Sequence, residues 1–79
     1  MPPAPHRVRW TDHALQKAAV LGLPHADVER LLIERHRLRR RNARSADWRL
    51  TIGRVVIVYD HPDHGDAGAA RIVTLWRLR

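Results

Sequence analysis

Seventy-nine residues carry one small core and leave no length for a separate binding domain. Lys and Arg number 15 against 8 Asp and Glu, a formal net charge of +7, and all but one of the bases are Arg; so basic a balance implies a polyanionic partner, nucleic acid first, an acidic protein second, a membrane surface third. The absence of cysteine excludes a disulfide framework and a thiolate metal site, and the longest apolar run, residues 55–59, is far below a membrane span.

The proline-rich start, residues 1–6, reads as a flexible lead with no apolar stretch behind it, so residues 7–79 form the domain and a cytoplasmic protein is expected. Arg7-Val8-Arg9-Trp10 alternates polar and apolar, the pattern of a short edge strand with Val8 and Trp10 inward. Thr11 or Asp12 then caps a helix in which Ala14, Leu15, Ala18 and Ala19 make one stripe, and Gly22 stands where a left-handed residue closes a helix. Pro24 suits the first turn of a second helix. Asp27 and Glu29 complement its positive end, while Val28, Leu31, Leu32 and the aliphatic stem of Arg35 continue one face.

From residue 35 to 44 six arginines and His36 crowd together, with Leu38 the one sizeable apolar side chain. Such a stretch cannot bury both faces, so the helix either runs on as a solvated basic spoke or unwinds near Asn42. The period then switches to two: Trp48, Leu50 and Ile52 alternate with Arg49 and Thr51, Gly53 marks a turn or bulge, and residues 55–59 are apolar on both faces, as in a central strand. Turn formers fill residues 60–68, a mobile loop. A last strand, residues 70–78, sets Ile72, Thr74, Trp76 and Leu78 on one face and Arg71, Val73, Leu75, Arg77 and Arg79 on the other. The sum is an α+β domain in which two N-terminal helices pack on a three- to four-stranded antiparallel sheet.

Arg35, Arg37, Arg39, Arg40, Arg41 and Arg44 repel one another and are stabilised when phosphates neutralise them, an effect independent of base sequence; a solvated helix end is the alternative. Lys17 and Arg49 add to the basic surface. Cleaving a phosphodiester without a metal takes a base for the 2′-hydroxyl proton, cations for the pentacoordinate phosphate and an acid for the leaving oxygen. An imidazole can serve either proton role, and His13, in the first turn of the first helix, is the candidate for it or a structural cap. Arg54, Arg71 and Arg77 are candidate phosphate clamps on the strands, and Tyr59, Thr74 and Trp76 offer hydrogen bonds or a stacking surface. Trp48, Tyr59 and Trp76 are equally the bulkiest candidates for a core without Phe, and Trp48 is read as core. Asp60, His61, Asp63, His64 and Asp66 have metal-ligand chemistry but lie too close together in one loop to close a coordination shell, so neither metal nor cofactor is expected.

His13-Ala14-Leu15-Gln16-Lys17, then Gly22-Leu23 and Asp27-Val28, resemble the His-Ala-x-x-Arg…Arg-Gly-Ile…Asp/Glu-Val opening of the small bacterial domain-of-unknown-function family 4258. Gly53-Arg54-Val55-Val56-Ile57-Val58-Tyr59 and Arg71-Ile72-Val73-Thr74-Leu75-Trp76 resemble its two closing strands. Lys17, Leu21 and Trp76 depart from the family's Arg, Arg and Tyr, whereas His13 and Thr74 match. That family is similar to the RelE/ParE and BrnT toxins of toxin–antitoxin systems, which pack two helices on a curved antiparallel sheet and whose active members are metal-independent ribonucleases. The resemblance implies a toxin-like endoribonuclease, with His13 as base or acid, Arg54, Arg71 and Arg77 on the phosphate, and Tyr59 or Thr74 orienting the substrate. Its substrate would be RNA, free or ribosome-bound, and its partner an acidic antitoxin. The rival is a non-catalytic module that binds RNA, DNA or an acidic protein through residues 35–44.

Overall fold

Two helices and five strands follow one another as β1 (Arg7–Trp10), α1 (Asp12–Leu21), α2 (His25–Arg35), β2 (Arg40–Arg41), β3 (Trp48–Ile52), β4 (Val55–Asp60) and β5 (Ala69–Arg77), in a computed structural model that describes residues 4–44 and 46–79. Thr11 starts α1 twice over: its hydroxyl oxygen accepts the Ala14 amide at 3.1 Å and donates to the Val73 carbonyl at 3.0 Å, tying the helix N-terminus to β5. Gly22 closes α1 at φ 69°, a left-handed position that needs no Cβ, and the amides of Gly22 and Leu23 take up the Ala19 and Ala18 carbonyls.

The second helix ends at Arg35, where the chain tightens into a 3₁₀ turn, His36–Leu38, before going extended at Arg39. The basic run therefore unwinds well before Asn42. Leu32 is the last buried apolar residue of α2 and Leu38 is exposed, so nothing beyond Arg35 anchors a further helical turn to the core.

The sheet has the order β1-β5-β4-β3-β2, with β1 parallel to β5 and every other pair antiparallel. It is thus five-stranded and mixed, not a three- to four-stranded antiparallel sheet. The additional strand is β2, two residues of the arginine run paired to Trp48 and Arg49. In the parallel pair β1 lies beside only the first half of β5, its ladder ending where the Thr11 amide donates to the Ile72 carbonyl; α1 then packs along β5.

Both helices cover the same face. Ala14, Ala18, Val28, Leu32, Leu50, Ile57, Tyr59, Ala70, Ile72 and Leu75 form the buried cluster, and the small alanines let α1 approach β5 closely. Val58 pairs with Thr74 while Tyr59 pairs with Ile72, so Val73 is an extra residue in β5. This bulge turns the strand over partway along. Ile72 and Leu75 both enter the core, whereas strict alternation would have put Ile72 with Thr74 and Trp76 and set Leu75 opposite.

The segment expected to be a mobile loop is tied down. The Asp63 amide donates to the Ala69 carbonyl and its carbonyl accepts the Asp66 amide, Arg7 grips the Asp66 carboxylate through Nε (2.9 Å) and Nη2, and Arg9 and Arg71 lie 3.7 and 3.8 Å from Asp63 and Asp60. Of the expected lead, residues 1–3 fall outside the described residues; Pro5 is buried and the His6 amide donates to the Gly68 carbonyl, so packing reaches back at least to Pro5. Among the described residues no helix is long and apolar enough to cross a membrane.

Two substitutions test this packing. Thr11→Val removes both hydroxyl bonds at the start of α1 and should cost about 1–2 kcal/mol in urea unfolding, with the m-value unchanged. Ile57→Asp sets an unpaired charge in a position 1 % exposed and should abolish cooperative unfolding, because such a charge costs several kcal/mol against a total of roughly 5–15.

Candidate nucleic-acid interface

With both helices on one face, the register defines what the other face presents. Arg40 stands opposite Arg49, Arg49 opposite Val58 and Val58 opposite Thr74, one row across four strands. His13 completes it from the first turn of α1, its Nε2 2.9 Å from Thr74 Oγ1, with donor and acceptor set by the tautomer. Thr51, Val56 and Trp76 form the adjacent row, roughly 7 Å along the strands. Above this floor opens a cleft of about 340 Å³ lined by Arg41, Asn42, Ala43, Arg44, Arg49, Val58 and Trp76. That volume falls at the small end of ligand sites, and its mixture of arginines with one indole suits a phosphate and an unpaired base.

Ion pairing separates the arginines into two groups. Arg7, Arg9 and Arg71 are each matched to a carboxylate of the 60–66 loop, and Arg30 sits between Asp27 and Glu34. The Arg7 guanidinium holds the Asp66 carboxyl below the usual carboxylate range, helped by the Gly68 amide. Arg40, Arg41, Arg44 and Arg49 meet no carboxylate within 4 Å among the described residues and remain available to an external anion. The cations at the cleft are therefore unneutralised, as are Arg35, Arg37, Arg54 and Arg77 away from it. Their placement comes from Trp48, whose ring carries Arg39 at 4.2 Å and Arg41 at 4.8 Å and so holds the basic run against the end of β3.

The residues singled out from sequence divide accordingly. His13, Thr74, Arg40, Arg44 and Arg49 meet at the uncovered face, and Arg41, opposite Trp48 in the register, also lines the cleft. Arg54, Arg71 and Arg77 do not gather into a clamp. Arg54 and Arg77 lie at the Val55 end of β4 and Arg71 at its Asp60 end, roughly 17 Å apart at strand spacing. Arg77 instead donates to the Leu21 carbonyl at 3.1 Å, closing the C-terminus of α1. Tyr59 is fully buried on the helix side, and burial pushes its phenol up to about 12. Lys17 is half-buried on α1, Arg35 and Arg37 are exposed near the end of α2, and Arg39 is turned onto Trp48 and His36. Asn42 and Ala43 line the cleft without a signal in the sequence; they do so through the loop that β2 begins. Trp76 had a signal, its alternation with Leu75, but its side could be assigned only once the bulge was known.

No family model matches the chain, and neither a curated protein nor a solved structure matches it.

Replacing Arg40, Arg44 and Arg49 together by Ala should flatten the salt dependence of single-stranded RNA binding by about 2 in the slope of log K against log salt, at roughly 0.7 for each lost phosphate contact. Arg7→Ala combined with Arg71→Ala removes cations already matched by carboxylates and should leave that slope nearly unchanged; fluorescence anisotropy across a salt series measures both.

Proposed function

We propose that the protein is a toxin-like, metal-independent endoribonuclease of RelE/BrnT-like fold, acting in the cytoplasm and held in check by an acidic antitoxin. One observation carries the proposal: the hydrogen-bonded His13–Thr74 pair lies across Val58 from Arg49 in the same row, beside arginines that no carboxylate neutralises. Arginines and an indole line the cleft, and the exposed His13 imidazole reaches its floor through Thr74, the neighbour of Val58 in the register; together they are the set that internal transesterification of RNA requires.

In this reading Trp76 stacks an unpaired base, and Arg49 with Arg44 bears on the scissile phosphate. His13, held by Thr74, takes the proton of the 2′-hydroxyl as the 2′-oxygen attacks phosphorus. The bond from phosphorus to the 5′-oxygen breaks, that oxygen takes a proton from solvent, and a 2′,3′-cyclic phosphate remains. Arg54, Arg71, Arg77 and Tyr59 have no part in the step. RNA enters as a single strand, free or on the ribosome, because the cleft is too small for a duplex.

A non-catalytic binding module remains the second reading, favoured by the single imidazole in the row and by Arg35 and Arg37, exposed beyond the cleft. Incubating purified protein with single-stranded RNA in EDTA separates the two. Cleavage leaving 2′,3′-cyclic phosphate ends, reduced about a hundredfold by His13→Ala with the thermal melt unchanged, is the expected result. RNA that is bound but never cut, ribosomes included, would give the module.

A further inference from the structure

Each buried side-chain nitrogen or oxygen that lacks a hydrogen-bond partner among the described residues belongs to one cluster: Arg39 Nε, Tyr59 Oη and both ring nitrogens of His61. Unpartnered polar atoms are costly to bury and rare, so four in one place call for an explanation. The His36 ring meets that of His61 edge-on, with centroids 6.1 Å apart. Arg39 Nη1 lies 3.2 Å from the His36 carbonyl oxygen and 3.4 Å from its Nδ1, while the same guanidinium covers Trp48. Trp48 in turn donates its indole N–H to the His61 carbonyl at 3.2 Å. The cluster thereby joins the 3₁₀ turn after α2 to the end of β4, and the segment leaving it, residues 39–44, supplies β2 and one wall of the cleft.

Two imidazoles packed around a permanent cation are stable only while both are neutral. Burial, then the Arg39 charge, holds His36 below the usual imidazole range; burial, then His36 and Arg39, does the same for His61. Asp47 acts in the opposite direction on His61, and it is the one carboxylate that bears on either ring. Asp60, next in the chain, faces elsewhere: its carboxylate accepts the Asp47 amide at 3.0 Å and lies 3.8 Å from Arg71. Tyr59 stays neutral throughout, and Arg41 bears on the Trp48 ring and not on either imidazole.

We propose that His36, His61 and Arg39 form an acid-released latch, which keeps residues 39–44 against the sheet when both imidazoles are neutral and frees them when either is protonated. Its regulatory meaning rests on the cleft being the RNA site, since those residues form its wall. In the closed form the rings bind protons weakly, whereas in an opened form they bind them near the ordinary imidazole value of about 6.5. Closure is therefore fully favoured above that value and is lost as pH falls below it, until the closed form itself takes up protons. Each imidazole adds up to about tenfold to the open population between pH 7.5 and 5.5.

Hydrogen exchange on the full chain, corrected for the intrinsic pH dependence of amide exchange, reads this opening without RNA. Amides of residues 39–44 should gain up to about tenfold in open population per imidazole over that interval, while those of α1 and β4 stay protected. His61→Phe keeps a ring of similar size that takes no proton, and should remove one factor of up to about tenfold from the pH response, leaving the His36 share; His36→Gln should remove the other and provides an independent variant should the first fail to fold. A His61 C2–H resonance that titrates at or above 6.5 would overturn the latch, as would a pH response of undiminished size in both variants or loosening of the whole domain together. Because exchange reports no catalysis, failure of the ribonuclease reading leaves this result standing, and failure of the latch leaves the ribonuclease reading standing.

Discussion

Among the described residues two helices of ten and eleven residues cover a five-stranded sheet, and both lie on the same side. The opposite face therefore meets solvent, and its composition follows from that constraint: arginine, threonine and tryptophan at alternate positions instead of a second apolar layer. β5 makes the arrangement possible. Its one edge serves first β1 and then α1, its other edge serves β4, and the Thr11 hydroxyl joins helix to strand where the two regimes meet. Val56 and Val58, although outside the helix-covered core, are still shut off from water, which leaves an apolar floor between polar walls.

Charge is distributed over this face with the same economy. The acidic loop after β4 neutralises the arginines of β1 and the start of β5, which leaves Arg40 of β2 and Arg49 of β3 as unmatched cations on the uncovered face. Exposed ion pairs of this kind contribute little to stability. Their consequence here is spatial, since they decide which guanidiniums an incoming phosphate finds free. The stacking of Arg39 and Arg41 on Trp48 has the complementary effect of bending the basic run back towards the sheet, where a continued α2 would have carried it into solvent.

Much of this was legible in the sequence wherever local chemistry settles the outcome. Thr11 and Gly22 bracket α1 because a hydroxyl cap and a left-handed glycine act within one turn of their position, and the alternation of residues 48–52 reads as a strand for the same reason. What escaped depends on partners distant in the chain. Residues 55–59 are apolar on both faces, so nothing local tells which side Tyr59 takes; the extra residue at Val73 reverses the faces of β5 and is defined only by pairing with β4. A two-residue strand inside an arginine run has no pattern of its own, and the parallel placement of β1 is a property of β5. At the site, His13 with Thr74 and the arginines of residues 40–49 were visible as residue types, whereas the division into paired and unpaired cations required knowing where Asp60, Asp63 and Asp66 sit.

The uncovered face as the RNA cleft is the claim on which the functional account turns, and backbone amide NMR with a short single-stranded RNA tests it most directly. Shifts concentrated at His13, Arg40, Arg49, Val58, Thr74 and Trp76, with α2 and the Arg7–Asp66 end unmoved, are the expected result. Shifts centred on the exposed side of α2, with that row silent, would contradict it.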